Sequence, residues 1–193
     1  ENHNRIPKSI QGTMKKMNHK ASLLFTWILI MATGCTLQEP VVSRKNVLKE
    51  IDIERITGTW HEVAQWGRPE RSQIAAVTLD VSMEDNGIIR LNIKKNKYTP
   101  YGPLTEIKGR AKWKADNPGI FKSTLFVNLS RKCYILYLDP DYTASLFCNN
   151  SATKLWIFSK DKYLTENQWA EILQRMESFG LDPAKLVWHH NQF

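Results

Sequence analysis

The fold of this chain follows from residues 58–66, which read Gly58-Thr59-Trp60-His61-Glu62-Val63-Ala64-Gln65-Trp66. Alternation with a period of two places these side chains on the two opposite faces of a β-strand. The face predicted to look inward carries Trp60, Glu62, Ala64 and Trp66, and the other face carries His61, Val63 and Gln65. Gly58 can adopt a backbone conformation that a side chain would forbid, so a strand can begin there with a large inward Trp. The pattern is typical of the closed end of a β-barrel.

Further strand signals follow along the chain, each bounded by turn residues. Alternating apolar residues mark them at 74–83, 89–93, 105–114, 125–129, 133–138, 143–148 and 154–160. With 193 residues and 42% apolar content, the chain is large enough for a sizeable core. Eight short strands in hairpin succession predict an all-β fold, an eight-stranded antiparallel up-and-down barrel.

One helix is predicted after the strands. Thr165-Glu166-Asn167-Gln168 is a capping box, and apolar residues follow at helical spacing up to Gly180. This single apolar stripe predicts a helix packed on the outside of the barrel. An amphipathic membrane helix is the alternative, but its polar face carries Glu166, Glu171 and Glu177 and few basic residues. Residues 186–189 read as a short final strand.

Residues 1–34 are predicted to be a signal peptide with an upstream extension, and Met14 and Met17 are both candidate starts. Lys15, Lys16 and Lys20 precede an apolar run at residues 23–31, which ends in small residues before Cys35. The run is shorter than the roughly 20 residues of a permanent membrane span.

The end of this segment, Ala32-Thr33-Gly34-Cys35, resembles the bacterial lipobox, in which the Cys becomes the lipidated N-terminus, for example through palmitate. A plain signal peptide with a coincidental Cys is the alternative. The resemblance implies lipidation of Cys35 and, with Thr36 following, a location at the periplasmic face of the outer membrane. Residues 35–51 are then predicted to be a polar tether, and residues 52–193 the barrel domain.

The formal net charge of +8 is partly due to the signal peptide, because the chain after residue 34 has 22 basic and 18 acidic residues. Lys108, Arg110, Lys112 and Lys114 alternate along one predicted strand. Because the chain has no dense basic tract with interleaved aromatic residues, this pattern indicates a solvated strand face and argues against nucleic-acid binding. A mild attraction to anionic lipid headgroups is the remaining functional alternative.

Two cysteines remain besides Cys35. If Leu138 pairs with Thr143, then Cys133 and Cys148 lie directly opposite each other, and an exported compartment permits a disulfide between them. Two reduced, buried cysteines are the alternative. The chain contains no Cys-x-x-Cys, and His189-His190 lacks metal-ligand spacing, so neither a metal nor another cofactor is expected.

Three blocks in this order resemble the lipocalins: residues 58–66, the turn Asp139-Pro140-Asp141-Tyr142, and the strand 155–160. The resemblance covers residues 52–190 and, with the lipobox, points to the bacterial outer-membrane lipoprotein subgroup. It implies a barrel floor built from Gly58, Trp60, Asp139, Tyr142 and Lys160. The family has an Arg where this chain has Lys160, and by the match Lys160 would lie over Trp60.

An eight-stranded barrel is either filled by side chains or wide enough for one small ligand. The resemblance implies a binding protein, not an enzyme, for fatty acids, lysophospholipids or another small apolar molecule. Burying each methylene of such a ligand contributes about 0.8 kcal/mol. The predicted ligand-binding residues are Glu62, Ala64, Trp66, Val77, Leu79, Val81, Ile93, Ala111, Trp113, Leu125, Val127 and Trp156.

Three alternatives stay open at this point: a packed barrel without a cavity, a structural spacer, and an isomerase-like enzyme with Cys133 as its reactive group. The inward set of the sixth and seventh strands is undetermined. The oligomeric state is also open, with a dimer among the possibilities.

Overall fold

The structure is a computed structural model, and it describes residues 42–67, 73–84, 87–124 and 130–189. Its strands are β1 (Gly58–Trp66), β2 (Ile74–Met83), β3 (Ile88–Lys97), β4 (Leu104–Lys112), β5 (Ile120–Thr124), β6 (Ser130–Leu138), β7 (Ala144–Asn149), β8 (Leu155–Ser159) and β9 (Val187–Trp188). Neighbours from β2 to β8 pair in sequence order, and β1 pairs with both β8 and β2. The predicted eight-stranded antiparallel barrel is therefore confirmed.

The interior of the barrel is apolar. One cluster of buried side chains, called the interior cluster below, comprises Ile56, Trp60, Val81, Ile89, Ala111, Phe121, Ile135 and Phe158. Its strand members lie on one alternating face, because Trp60 is opposite Leu79 and Ile89 is opposite Ala111. The register between β2 and β3 is uninterrupted from Ala76 to Met83, so this face stays inward over most of both strands.

The predicted helix is confirmed as α1 (Glu166–Ser178), and the Thr165–Gln168 capping box is present. Gly180 ends it with φ +69°, which a glycine adopts without strain. Ile172 and Met176 pack in a second cluster on the outer side of β1, β6, β7 and β8, which we call the helix-side cluster. No helix among the described residues is long and apolar enough to cross a membrane.

The segment before β1 packs against the barrel. Val42 and Val47 are only 1% and 7% exposed, and the Leu48 amide donates to the Ile135 carbonyl at 3.1 Å. A Cβ on Gly119 would lie 2.3 Å from Cγ1 of Val47, so the closed end fits tightly around this segment. The prediction of a loose tether up to residue 51 is wrong from Val42 onward, because a Ser43 capping box folds the polar residues into a 3₁₀ turn between two buried valines.

The position of the fifth strand also differs from the prediction. β5 covers Ile120–Thr124, whereas the prediction placed the fifth strand at 125–129. Residues 125–129, including the predicted site residues Leu125 and Val127, lie outside the described residues. The strand was missed because its inward position opposite Ala111 is taken by a polar residue, Ser123, which hides the apolar alternation.

Both hydrophobic clusters are built from residues 42–188, within the compact unit Pro40–Phe193. This unit therefore contains a core of its own and is expected to fold without the residues before it.

Candidate functional site

The closed end of the barrel is built around Trp60, which is 1% exposed. Its Nε1 donates to the Ile56 carbonyl at 2.8 Å, and Gly58 enters the strand with φ +114°. Lys160 Nζ lies 5.3 Å from the centre of the Trp60 ring and donates to the Arg55 carbonyl at 2.8 Å. The contact that the resemblance implies is present, and Lys160 also ties the 3₁₀ turn at Glu54–Ile56 to the floor.

The turn between β6 and β7 is organised by Asp139. Its carboxylate accepts hydrogen bonds from the Thr143 and Ala144 amides at 2.6 and 2.8 Å, and from Gln168 Nε2 at 3.0 Å. Burial acts to raise the pKa of Asp139, but these hydrogen bonds outweigh it and the pKa is lowered. Gln168 belongs to α1, so this carboxylate connects the floor of the barrel to the helix.

Tyr142 connects the same turn to the segment before β1. Its hydroxyl accepts a hydrogen bond from the Asp52 amide at 2.9 Å, and the Arg55 guanidinium lies 4.2 Å from its ring centre. Arg55 also donates to the Pro140 carbonyl at 3.0 Å. The predicted floor residues therefore form one connected group that closes this end of the barrel.

We expect Asp139→Asn to lower the free energy of unfolding by about 2 kcal/mol at neutral pH, because charge-assisted hydrogen bonds are lost and an amide N–H faces backbone donors. Since the pKa of Asp139 is lowered in the folded state, the ionised carboxylate stabilises the fold above about pH 3.8. This stabilisation is lost as the pH falls through the pKa that Asp139 has in the folded state. The difference from wild type should therefore shrink below about pH 4. Urea unfolding at several pH values measures this.

The exposed neighbour Asp141 offers a matched control, since Asp141→Asn should change the stability little. A difference between Asp139→Asn and wild type that stays constant down to pH 3 would contradict the assignment.

Most of the predicted ligand-binding residues face the interior, namely Glu62, Val77, Leu79, Val81, Ile93, Ala111 and Trp156. Near the floor the interior is packed: Val81, Ile89 and Ala111 are 8%, 2% and 2% exposed. Trp113 also belongs to the closed end, where its Nε1 donates to the Pro118 carbonyl at 3.1 Å. It follows β4 and is not on the barrel wall.

Further from the floor some of the inward side chains are only partly buried, whereas Val77 is 5% exposed. Leu79, Ile93 and Ile107 lie in one row across β2, β3 and β4, and each keeps accessible surface although it faces the interior of a closed barrel. Trp156 on β8 shows the same intermediate burial. Apolar surface that is accessible inside the barrel is what a small apolar ligand would cover.

Ala64 and Trp66 were predicted to face inward, and this prediction is wrong. The pairing of β1 with β8 shifts by one residue between Glu62 and Ala64, which is a β-bulge. After the bulge, Ala64 lies opposite Ile157 and both belong to the helix-side cluster. Trp66 packs against the same cluster. Gln65 faces inward instead, opposite Trp156, and is 3% exposed.

The structure brings Glu62 and His189 together, a pair that the sequence analysis missed. Glu62 lies opposite Phe158 of the interior cluster, and its Oε1 is 2.8 Å from Nε2 of His189. Both side chains are buried, with 3% and 11% exposure. With Gln65 they form a polar group on the otherwise apolar lining, able to hydrogen-bond or hold a proton next to the interior space.

The pair depends on β9. Trp188 lies opposite Ala64, and the His189 amide donates to the Val63 carbonyl at 3.0 Å. Trp188 also stacks on Trp169 of α1, with ring centres 3.9 Å apart. The only indication of this pair in the sequence is that His189 follows Trp188 in the predicted strand 186–189 and therefore lies on its opposite face. Nothing local links it to a carboxylate 127 residues away.

The directly opposed pairing of Cys133 and Cys148, on which the possible disulfide between them would depend, is not found. Cys133 lies opposite Asn149, and Cys148 lies opposite Tyr134, because Leu138 pairs with Ser145 and not with Thr143 as expected. The bulge between Ile135 and Tyr137 removes only one of these two positions of offset. Cys133 is on the inward row, opposite Phe121, whereas Cys148 is fully buried in the helix-side cluster. Burial raises the pKa of Cys148 to about 12, so this thiol stays protonated.

The predicted lipidation site Cys35 lies outside the described residues. Nothing in the described part of the chain groups three His, Cys, Asp or Glu side chains in a way that could hold a metal ion.

Comparison with known proteins agrees with this geometry. The family model of the lipocalin-like domain matches residues 51–191. The chain is 26% identical over 144 residues to the outer membrane lipoprotein Blc of Escherichia coli K12, covering 74% of this chain and 80% of that protein. It is 26% identical over 153 residues to temperature-induced lipocalin-1 of Arabidopsis thaliana, covering 72% and 79%.

Among solved structures, insecticyanin from the tobacco hornworm Manduca sexta superimposes with a TM-score of 0.61 at 15% identity, covering 74% of this chain and 82% of that one. Lobster apocrustacyanin A1 gives a TM-score of 0.61 at 15% identity, covering 76% and 84%. At such identities these likenesses concern the fold alone.

Proposed function

This chain belongs to the lipocalin-like family, and from that premise we propose that it is a lipid-anchored binding protein of the bacterial outer membrane. In this proposal the barrel holds one long-chain apolar ligand, of the fatty acid or lysophospholipid class. The protein binds and releases this ligand and does not transform it.

The observation that carries the proposal is the division of the interior into two layers. The floor layer around Trp60 and Ile89 is packed, whereas Leu79, Ile93 and Ile107 above it keep accessible apolar surface. An acyl chain against these side chains would be removed from water, at about 0.8 kcal/mol for each methylene. A barrel filled throughout, as a structural spacer requires, would bury these residues as completely as Ile89.

The polar group of Glu62, Gln65 and His189 supports a ligand with one polar end. A buried polar group of this kind is stable only when its hydrogen bonds are made. The acyl chain would lie against the apolar row, and the carboxyl or ester end would hydrogen-bond to this group. Such an arrangement would orient the ligand in the barrel.

The anchor is the second part of the proposal. It rests on the lipobox at Cys35 and on the similarity to Blc, a protein described as an outer membrane lipoprotein. Residues 36–41 then join the acylated Cys to the packed segment that begins at Val42.

We expect Cys35→Ser to abolish incorporation of labelled palmitate and to move the protein from the detergent phase to the aqueous phase after temperature-induced phase separation. Cys133→Ser is the matched control and should leave both unchanged. Equal palmitate incorporation by wild type and Cys35→Ser would contradict the anchor without affecting the ligand proposal.

Native mass spectrometry of residues 40–193 tests the ligand proposal directly. The delipidated protein is mixed with oleic acid or with a lysophosphatidylcholine, and the proposal predicts a one-to-one complex with the intact ligand. No complex with either lipid would contradict it.

An isomerase-like enzyme remains the second candidate because Cys133 is on the inward row, with its Sγ 3.9 Å from Ser123 Oγ. The same experiment separates the two functions, since an enzyme would release a product with altered retention on chromatography. Cys133→Ala should leave binding unchanged if the protein only binds.

A further inference from the structure

The outer face of β3 to β6 carries a set of basic residues that we call the basic wall: Arg90, Lys108, Arg110, Lys112, Lys122 and Lys132. The strand register places them side by side. Lys112 lies directly opposite Lys122, and Lys122 lies directly opposite Lys132. Arg90 lies opposite Arg110 in the same way. Because neighbouring strands are about 4.8 Å apart, three ammonium groups stand in one row across the sheet.

This arrangement acts against folding, because like charges directly opposite each other on adjacent strands are destabilising. Glu84 offsets part of it, because this carboxylate pairs with Arg110 at 4.0 Å as well as with Arg90, but it does not reach the lysine row. Asp80 pairs with Lys94 at 2.8 Å. In the described part of the chain, no carboxylate forms an ion pair with Lys112, Lys122 or Lys132.

The wall also encloses a concave surface. An open depression of about 620 Å³ lies on the outside of β2 to β4, bordered by Arg90, Lys108, Arg110 and the Thr124 hydroxyl. Asp80 borders it as well, with its charge directed to Lys94. The side chains of Arg90, Lys108 and Arg110 are exposed. They offer hydrogen-bond donors that suit phosphate oxygens.

We propose that the basic wall docks the barrel onto an anionic phospholipid surface. An array of cations on neighbouring strands is complementary in charge to a layer of phosphate groups, and each Lys or Arg near such a layer strengthens binding. A nucleic acid fits less well, since the described outer positions of β3 to β5 present no aromatic side chain for base stacking and no helix for a groove.

This contact does not depend on the acyl chain at Cys35 or on a ligand in the barrel. It would instead fix how the barrel lies on the membrane, with the lysine row of β4 to β6 against the headgroups.

Co-sedimentation of residues 40–193 with vesicles tests the proposal. Vesicles of phosphatidylcholine with phosphatidylglycerol in a three-to-one ratio are compared with pure phosphatidylcholine. The wall variant combines Lys112→Gln, Lys122→Gln and Lys132→Gln, and it should lower the partition coefficient for anionic vesicles roughly a hundredfold, at about fivefold for each charge.

The control variant combines Lys45→Gln, Lys49→Gln and Lys154→Gln, exposed lysines elsewhere on the same unit with the same change in net charge. It should lower the partition coefficient only a few-fold.

The melting temperature of the wall variant should equal or exceed that of wild type, because the opposed charges are gone. This measurement shows that the variant is folded. If the triple variant does not fold, Lys122→Glu at the centre of the row takes its place.

Equal losses in the wall and control variants would overturn the proposal, since net charge alone would then explain the binding. Equal binding to anionic and neutral vesicles would overturn it as well. Binding of a short DNA duplex that depends on the three lysines, without vesicle binding, would assign the wall to nucleic acid instead.

Discussion

Trp60→Ala is expected to lower the free energy of unfolding by about 3 to 5 kcal/mol, enough to unfold much of a marginally stable domain. Trp60 is 1% exposed and lies at the centre of the floor, so no neighbour can fill the space that its indole leaves. The change also removes the hydrogen bond to the Ile56 carbonyl and the ring under Lys160. Urea unfolding of residues 40–193, followed by circular dichroism, measures the loss without relying on Trp fluorescence.

Trp66→Ala is the matched control on the same strand. Trp66 packs on the outer, helix-side cluster and is only partly buried, with Lys185 Nζ 5.6 Å from its ring centre. We expect the free energy of unfolding to fall by about 1 to 2 kcal/mol, roughly half of what the full burial of an aromatic side chain contributes. If both variants lost the same stability, the assignment of Trp60 to the closed floor and Trp66 to the outer surface would be wrong.

Ile93→Trp is expected to weaken binding of cis-parinaric acid roughly fiftyfold while changing the stability by less than about 1 kcal/mol. Ile93 faces the interior from β3, where accessible apolar surface remains on the row of Leu79, Ile93 and Ile107. An indole placed there would exclude about three methylenes of an acyl chain, or about 2.4 kcal/mol of binding free energy. A fluorescence titration measures the dissociation constant.

Ile89→Trp makes the same chemical change four residues earlier, on the same face of the same strand. Ile89 is 2% exposed and lies opposite Ala111 in the packed floor, so a larger side chain should cost about 1 to 3 kcal/mol of stability. Its effect on the affinity should be small, because the ligand lies above this layer. Equal losses of affinity in the two variants at matched stability would contradict the division of the interior into two layers.

The elements of this fold could be predicted because each rests on local chemistry. The capping box at Thr165 and the terminal Gly180 define α1 from a few neighbouring residues. Likewise, Gly58 and Trp60 indicate the closed end within a single strand, and uninterrupted alternation in β2 and β3 placed Leu79 and Ile93 correctly. In these places the side-chain period follows directly from the backbone geometry.

The predictions that were wrong concern strand pairs whose register differs from the expected one. A bulge in β1 reversed the faces of Ala64, Gln65 and Trp66, and the pairing of Leu138 with Ser145 moved Cys133 out of register with Cys148. A bulge inserts one residue, and every later side chain then changes face. No residue type marks this bulge, because the extra residue is accommodated by the partner strand.

The sequence by itself determined the strands of the barrel, the helix and the start of the closed end at Gly58 and Trp60, since these follow from periodicity, caps and turns that involve only nearby residues. Only the tertiary structure decided that His189 meets Glu62, that Val42 and Val47 pack on the barrel, and that Lys112, Lys122 and Lys132 form one row. Each of these contacts joins separate parts of the chain, and its geometry depends on strand register and on how the barrel closes. Register is a property of paired strands, so a single strand read alone does not contain it.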